Sequence, residues 1–386
     1  MRLKPVQLLL VVTLLSAAGA CSAGDGGGGG AGSAPPAVAF TKVELPAGAA
    51  PVVLAAAGDD LLIGTRRAGQ EVVPGLLRLG QQGQPVELAV HGATPYGLLA
   101  RWSSIAADGE RIVGLGGERG GAHGHVRWSV WTAAPDGIAE QRQGFSTFGG
   151  YAAGDIVDAV LTPTGSALVG AWESAQLGFD VAVWTPAGED WLRQSSAGTA
   201  LESSEGSLGF PMAATAAGPG ILVAGWGVTL GTGNSSQQPV VWRSEVDTSG
   251  WTRTTLPDGG RIGAALAARC WDGGCGVAGR ADGNLAVWEL RDASWARRSG
   301  LPAVPVGDRD RLAAPIEVGD RLNQFVSDGG HVTLAQANGD GWTVRPTDGP
   351  AGTVTAVTAV GDTLYLLAGP DEDDQTLWRA DLAALG

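Results

Sequence analysis

The sequence predicts an all-β fold that closes as a ring, a seven-bladed β-propeller, and three observations lead to this prediction. Short runs rich in Val, Leu and Ala, bounded by Gly, Asp and Pro, fill the chain, and almost none has helical spacing. Similar four-strand patterns recur along it. The stretch FTKVELPAG (40–48) is similar to WTRTTLPDG (251–259) far downstream. An all-β chain of this length must close on itself or divide into domains, and the repeat favours closure.

A complete copy of the repeat contains four strands, as a propeller blade does. An apolar strand is followed by a strand similar to LVGAW, a variable loop, a strand similar to VAVW, a polar turn and a strand that opens with Trp. The clearest copies span 156–196, 211–257 and 262–299, and weaker copies span 50–90, 101–143 and 311–347. The last copy, 353–381, has only three strands.

The stretch FTKVELP has the pattern of the strand that the last copy lacks. We therefore predict that an N-terminal strand, about residues 38–46, pairs with the C-terminal blade and hides the free strand edges. In this arrangement Phe40 takes the place in the last blade that Trp251 takes in its own.

Large apolar residues recur at two positions of the repeat. The first position lies in the third strand and returns every ~44 to 58 residues, and the second opens the fourth strand. Such regular spacing predicts packing between blades rather than binding. The first set is Leu79, Trp131, Trp184, Trp242, Trp288, Leu334 and Trp378, and the second is Trp191, Trp251, Trp295 and Trp342.

Residues 1–20 predict a cleaved export signal, because Arg2 and Lys4 precede an apolar run that is too short to span a bilayer. The junction AGAC (18–21) resembles the lipobox of bacterial lipoproteins, and the resemblance implies that Cys21 is acylated. Ala18 stands where leucine is usual, so secretion with a free Cys21 is the alternative. Residues 21–37 then form a Gly/Ser/Ala/Pro-rich tether, and 38–386 form the propeller.

Removal of residues 1–20 changes the net charge from −14 to about −16, because two basic residues and no acid are lost. This acidity argues against nucleic acid as a partner. We expect a monomer on the extracytoplasmic face of the cell membrane, held there only by its lipid. The expected partner of the protein is an envelope protein, a peptide or a glycan. The Arg, Ala and Gly bias is typical of high-GC bacteria such as actinobacteria.

Cys270 and Cys275 lie in the segment RCWDGGCG. An Asp-Gly-Gly turn can bring two strand ends within bridging distance, and an exported protein meets an oxidising environment. The segment predicts a disulfide across a hairpin. A metal site is the weaker interpretation, since no His or further Cys lies nearby.

The polar turns before the second Trp set resemble the Asp-box turns of sialidase-like propellers, and the resemblance covers most of the mature chain. The turns are AGEDW (187–191), VDTSGW (246–251), RDASW (291–295) and NGDGW (338–342). The segment SEVDTSGW (244–251) comes nearest to Ser-x-Asp-x-Gly-x-x-Trp, with one residue too many between Asp247 and Trp251. Asp-box turns are structural, so the resemblance implies the fold rather than a reaction.

A sialidase-like glycoside hydrolase is the alternative function. It would need three arginines around a carboxylate, a nucleophilic Tyr with a Glu, and an acid/base Asp. Tyr365 lies in an apolar strand, and Tyr96 and Tyr151 have no Glu partner recognisable in the sequence. The sequence therefore favours a non-catalytic binding or scaffolding module without a cofactor.

In a propeller, the loops from second to third strands and from blade to blade gather on one face. Binding residues concentrate on such loops, so the aromatic and histidine residues there make a candidate binding face. The same rings could instead plug the channel or cover blade ends. The candidates are Tyr96, Trp102, His123, His125, Tyr151, Trp172 and Trp226, with Phe145, Phe148 and Phe210 nearby.

Two further loop features raise the question of a metal. His123 and His125 could bind a metal with Glu118 or with a carboxylate of a neighbouring blade, but two histidines without a visible third ligand are more often solvated. The acidic run Asp371–Asp374 has no calcium-loop spacing, and a solvated charge run is favoured. We predict no metal site.

Overall fold

The computed structural model describes residues 35–386 except 68–71, 82, 121–123, 145–146, 149–153, 231–235, 309 and 329. The export signal, Cys21 and most of the tether lie outside the described residues, as do His123, Phe145 and Tyr151. Pro35–Gly386 is one compact unit. Within the described ranges, no helix has the length and apolar character that crossing a membrane requires.

Two short strands open the described chain, and antiparallel strands follow in groups of four. The opening strands are β1 (Val38–Ala39) and β2 (Thr41–Lys42). Unit 1 contains β3 (Ala49–Ala57), β4 (Asp60–Arg67), β5 (Val73–Leu79) and β6 (Pro85–His91). A short helix, α1 (Pro95–Leu98), leads to unit 2, which contains β7 (Arg101–Asp108), β8 (Arg111–Gly120), β9 (His125–Ala134) and β10 (Gly137–Gln141).

The next three units are separate four-stranded sheets. Unit 3 contains β11 (Asp155–Leu161), β12 (Ser166–Glu173), β13 (Phe179–Ala187) and β14 (Asp190–Arg193). Unit 4 contains β15 (Ser207–Ala217), β16 (Gly220–Thr229), β17 (Ser236–Arg243) and β18 (Thr252–Thr255). Unit 5 contains β19 (Gly263–Trp271), β20 (Gly274–Ala281), β21 (Asn284–Arg291) and β22 (Ser294–Arg297).

The last two units receive the opening strands. Unit 6 contains β23 (Ile316–Val318), β24 (Arg321–Asp328), β25 (His331–Asn338) and β26 (Gly341–Ala351). Unit 7 contains β27 (Thr353–Val360), β28 (Thr363–Gly369) and β29 (Thr376–Asp381), and a 3₁₀ turn (Leu382–Leu385) ends the chain. Every unit overlaps one copy of the sequence repeat, and the largest differences in bounds are in units 4 and 6, which begin at Ser207 and Ile316.

The predicted closure is confirmed, with one difference. Strand β2 pairs antiparallel with β29 and supplies the fourth strand of unit 7, but β1 pairs in parallel with β26 at the edge of unit 6. The chain changes sheet at Phe40, whose N–H donates to the carbonyl of Asp348 at 2.8 Å. The long strand β26 offers its edge to β1, so the closing segment joins both units.

The register places Phe40 where the sequence predicts it. Lys42 lies opposite Trp378, as Arg253 lies opposite Trp242 in unit 4. Phe40 therefore corresponds to Trp251, two residues before the paired position. Its ring packs edge-on against Phe325, with centroids 5.9 Å apart.

Hydrophobic clusters lie between consecutive units. The cluster between units 7 and 1 joins Leu61 and Ile63 to Leu367 and Leu377, which closes the ring of units. Fully buried tryptophans of the first set, such as Trp184, lie within these clusters. The prediction that the two tryptophan sets pack between blades is confirmed, because both sets join these clusters: Trp131, Trp184, Trp242, Trp288 and Trp378, then Trp191, Trp251, Trp295 and Trp342.

The first strands of the units line a central channel, except in unit 6, where the segment before β23 lines it. Six of these strands carry a register shift near the middle, between Ile156 and Asp158 in β11, for example. In unit 6 the predicted strand LAAPIEV is reduced to Ile316–Val318, because Pro315 has no N–H to donate. The buried amide of Gln324 donates instead to the carbonyl of Ala313 at 3.1 Å.

Strand direction defines two faces. The loops that join second to third strands and unit to unit lie at one end of the channel, which we call the loop-rich face. The hairpin turns that join first to second and third to fourth strands lie at the other end, the hairpin face. Strands β1 and β2 both run toward the loop-rich face, so the described chain enters at the outer rim on the hairpin side.

Candidate functional site

A pocket of about 260 Å³ opens on the loop-rich face over the outer strands of unit 2. Three aromatic residues line it, Tyr96, Trp128 and Phe148, together with polar side chains. The polar lining is Thr94, Arg127, Ser129, Glu140, Gln141 and Gln143. Apolar walls with a few polar groups are typical of a ligand pocket.

The segment that carries Tyr96 is held by local capping and by a carboxylate. Thr94 caps α1 by accepting the N–H of Gly97 at 2.9 Å, and Pro95 suits the first helical turn. Glu140 accepts the N–H groups of Ala93 and Thr94 at 2.6 and 2.8 Å, and the Thr94 hydroxyl at 2.7 Å. Glu140 thereby fixes the loop from unit 1 to unit 2.

Two glycines allow this close packing. A Cβ on Gly97 would lie 1.9 Å from Oε2 of Glu140, and a Cβ on Gly120 would lie 2.6 Å from the ring of Tyr96. Both distances are far below van der Waals contact. A side chain at either position would therefore displace the Glu140 carboxylate or the Tyr96 ring from the pocket wall.

Unit 3 fixes the polar side of the pocket. Trp191 donates its indole N–H to Oε1 of Gln141 at 2.6 Å, and its backbone N–H to Oε1 of Gln143 at 3.1 Å. The Nε2 of Gln143 and the Nε1 of Trp128 are buried and have no hydrogen-bond partner among the described residues. Buried donors are normally paired, so these two atoms mark the pocket as a place where an acceptor would be favoured.

The central channel forms a second cavity, of about 620 Å³. Alanine, valine and leucine dominate its wall, and the charged residues in its described lining are Asp158, Arg269 and Arg311. Asp158 follows the register shift of β11, where the other shifted strands have Val53, Ser104, Ala213, Ala267 and Ala356.

Asp158 connects three units across the channel wall. Its Oδ2 accepts the N–H of Ala214 in unit 4 at 2.7 Å, and Ser104 in unit 2 also bonds to the carboxyl. Burial raises the pKa of Asp158 to about 6, against the lowering effects of these hydrogen bonds and of the charge of Arg311.

The acidic run near the C-terminus is exposed, and two of its carboxylates pair with arginines. Glu372 pairs with Arg311 at 2.8 Å, and Asp373 pairs with both Arg66 and Arg101. The prediction of a solvated charge run agrees with this exposure, but it did not include the arginines, distant in sequence, that contact the loop. We call residues 370–375 the acidic loop.

The acidic loop lies near the ring axis. Arg311 precedes unit 6 and Arg101 opens unit 2, and these two units are not neighbours, so one loop that contacts both must lie close to the channel mouth. Within the loop, Asp371 accepts the N–H groups of Asp373 and Asp374 at 2.8 and 3.0 Å. Three arginines do converge at this mouth, and they pair with carboxylates of this chain.

The other candidate residues divide by burial. Trp102 and Trp172 are 3% and 7% exposed and pack edge-on against Trp131 and Trp184, so they lie in the core and not on an open face. Trp102 and Trp172 therefore agree with the alternative interpretation, in which these rings cover the ends of blades. Trp226 stacks on Phe210 with centroids 4.0 Å apart.

Among the histidine and tyrosine candidates, Tyr96 is 37% exposed at the pocket and His125 is exposed at the start of β9. Tyr365 is buried between units 7 and 1, which raises its pKa. In the described part of the chain, no three His, Cys, Asp or Glu side chains gather as a metal would require.

The hairpin face carries structural features. The predicted Cys270–Cys275 disulfide is present across the β19–β20 hairpin, with an S–S distance of 2.01 Å. In the turn most similar to an Asp-box, Asp247 accepts the hydroxyls of Thr162 and Thr164 at 2.6 and 2.5 Å, which lowers its pKa and joins units 3 and 4. This contact is structural, as the resemblance implies.

Sequence reasoning missed Trp128, Glu140 and Gln143 at the pocket, and Asp158 and Arg269 in the channel. The repeat holds a signal for Asp158, because an acid stands at a position that is otherwise apolar or hydroxylic. No local pattern distinguishes Trp128, which lies next to the repeat tryptophans in RWSVW.

No protein-family model matches the sequence, and no curated protein matches it. Solved structures do match. YCF48 bound to D1 peptide has 13% identity and a TM-score of 0.51, with 90% of this chain and 97% of that chain covered. A puromycin-hydrolyzing peptidase of Mycobacterium tuberculosis has 15% identity and a TM-score of 0.53, with 90% and 55% covered.

A Trypanosoma rangeli sialidase in complex with 2,3-difluorosialic acid has 12% identity and a TM-score of 0.42, with 90% of this chain covered. The chain spans about half the length of that sialidase, 55%, and also of the peptidase. At these identities the likeness shows the fold alone. The chain is a β-propeller, similar in fold to YCF48 and to part of the Mycobacterium tuberculosis peptidase.

Proposed function

We propose that this protein is a lipoprotein, anchored through Cys21 on the extracytoplasmic face of the cell membrane, that binds a protein or peptide segment without catalysing a reaction. The aromatic pocket on the loop-rich face carries this proposal. It combines exposed ring surface at Tyr96 with two buried donors, on Trp128 and Gln143, that lack an acceptor in the described structure.

An extended peptide suits both features. Its backbone carbonyls are acceptors for the two N–H groups, and one of its side chains can pack on the rings. YCF48, of which 97% is covered by the match, is bound to a peptide in its solved structure. That likeness supports a peptide over a glycan as the partner of this chain.

The main ionic groups of the loop-rich face form hydrogen bonds or ion pairs with other residues of the chain. Glu140 beside Tyr96 accepts three hydrogen bonds from the loop that precedes it, and Arg66 and Arg101 pair with Asp373. A hydrolase would need such groups directed at its substrate. Their engagement supports a binding module.

Peptide and glycan arrays probed with the full chain in detergent micelles test the proposal. We expect binding to peptides, weakened at least about tenfold by Trp128→Phe, which keeps an aromatic ring and removes the donor. Trp342→Phe is the matched control, because Trp342 also has a buried indole N–H without a partner but lies outside the pocket, between units 5 and 6.

Two results would contradict this proposal. One is peptide binding that is unchanged in both Trp128→Phe and Tyr96→Ala. The other is turnover of a fluorogenic glycoside that is lost in Glu140→Gln, which would favour the glycoside hydrolase.

A further inference from the structure

The guanidinium of Arg269 crosses the central channel. Arg269 lies near the end of β19 in unit 5, and its Nη2 donates to the carbonyl of Val357 in β27 of unit 7. It passes unit 6, whose first strand is only three residues long. The gap left by that short strand gives the side chain room in the channel.

Among the described residues, Arg269 has no carboxylate partner. Other arginines of the chain pair with acids, Arg291 with Glu289 and Arg311 with Glu372, for example. A guanidinium carries five N–H donors, and the one contact of Arg269 is to a neutral carbonyl. Burial lowers the pKa of Arg269 to about 10, so the surroundings disfavour its charge.

We propose that the channel is a binding site for a small organic carboxylate, held by the guanidinium of Arg269. A carboxylate would supply the missing counter-charge and accept two parallel N–H bonds from the planar fork. The largely alkyl wall of a cavity of about 620 Å³ suits a ligand with an apolar body.

The position of Arg269 favours entry from the hairpin face. The acidic loop occupies the loop-rich mouth, whereas Arg269 lies in the last third of β19, next to Cys270. The Cys270–Cys275 disulfide fixes the hairpin that carries the guanidinium. The carboxylate site is therefore separate from the aromatic pocket. A failure of one of the two proposals would not contradict the other.

Thermal unfolding of the full chain in detergent tests the site, with sodium acetate, butyrate or sulfate added at constant ionic strength. We expect a saturable rise in Tm with acetate, a stronger response to butyrate, and a weaker one to sulfate. Arg269→Gln should weaken the apparent carboxylate affinity at least about tenfold, the loss expected for a charge-assisted hydrogen bond.

Arg253→Gln is the matched control and should keep the response, because Arg253 is also a partly buried arginine whose pKa is lowered by burial, but it lies on the outer strand β18. If Arg269→Gln does not fold, ligand-observed NMR of ¹³C-acetate on the wild-type chain, displaced by butyrate, replaces it. The absence of a saturable response in the wild type would overturn the proposal. So would equal responses in wild type and Arg269→Gln, which would leave Arg269 as a brace between units 5 and 7.

Discussion

The buried carboxyl of Asp158 should make the free energy of unfolding of the protein depend on pH. Burial raises its pKa from 3.8 to about 6. The group is protonated in both folded and unfolded states below pH ~3.8, so it carries no penalty there. Stability falls as the pH rises from ~3.8 to ~6, and above that the charged form costs about 3 kcal/mol, at 1.36 kcal/mol per pKa unit.

The substitution Asp158→Asn removes this charge and keeps an oxygen for the N–H of Ala214, and its amide can donate to the Ser104 hydroxyl. We expect the variant to be more stable than wild type by up to about 3 kcal/mol at pH 7.5 and by about 1 kcal/mol at pH 4.5. For roughly 350 residues this corresponds to a rise in Tm of about 4 °C and about 1.5 °C.

Calorimetry of the full chain in detergent at the two pH values measures both differences. Asp282→Asn is a control of opposite sign, because backbone N–H groups of Ile262 and Arg261 lower the pKa of Asp282. That variant should lower Tm by nearly the same amount at both pH values, because the stabilisation is lost only as the pH falls below 3.8. A gain for Asp158→Asn that is equal at both pH values, or a loss at pH 7.5, would refute the reasoning.

Three further predictions follow from the closing strand, the acidic loop and the anchor. Phe40→Ala should cost about 3 to 5 kcal/mol in urea unfolding, because it empties the contact with Phe325, whereas Lys42→Ala in the same segment should cost little. Asp373→Asn should lower stability by up to about 1 kcal/mol at low salt, and a difference that persists in 1 M NaCl would argue against ion pairing. Metabolic labelling with a fatty acid should mark the wild type and not Cys21→Ser; label in both would exclude acylation at this cysteine.

The fold was predictable because each unit repeats the same short-range pattern. A large apolar residue in the third strand of each unit, and a Trp after the polar turn in four of them, report packing that neighbouring units impose on each other. The register of Phe40 followed from seven aligned residues, since strand pairing fixes alternate side chains to opposite faces. The switch of β1 to unit 6 did not follow, because nothing in FTKVELPAG encodes the free edge that β26 presents.

The candidate sites depend on contacts that local patterns do not contain. Asp373 meets Arg101 across 272 residues of sequence, so the ion pairs of this exposed run of four acids could not be predicted from its local pattern. The pocket at Tyr96 likewise needs Glu140 and Gln143 from the far side of unit 2 and a hydrogen bond from unit 3. Spacing in the sequence can place each of these residues on the loop-rich face, but not at one point on it.

The acidic loop and the aromatic pocket lie at different distances from the ring axis on the loop-rich face. Near the axis, the carboxylates of the acidic loop and the arginines around it neutralise one another, and a partner that bound there would have to break at least two ion pairs. Over the outer strands of unit 2, the two buried donors of the pocket have no such partner. A ligand gains hydrogen bonds at the rim without displacing any, and this difference is why we place partner binding at the rim rather than over the channel.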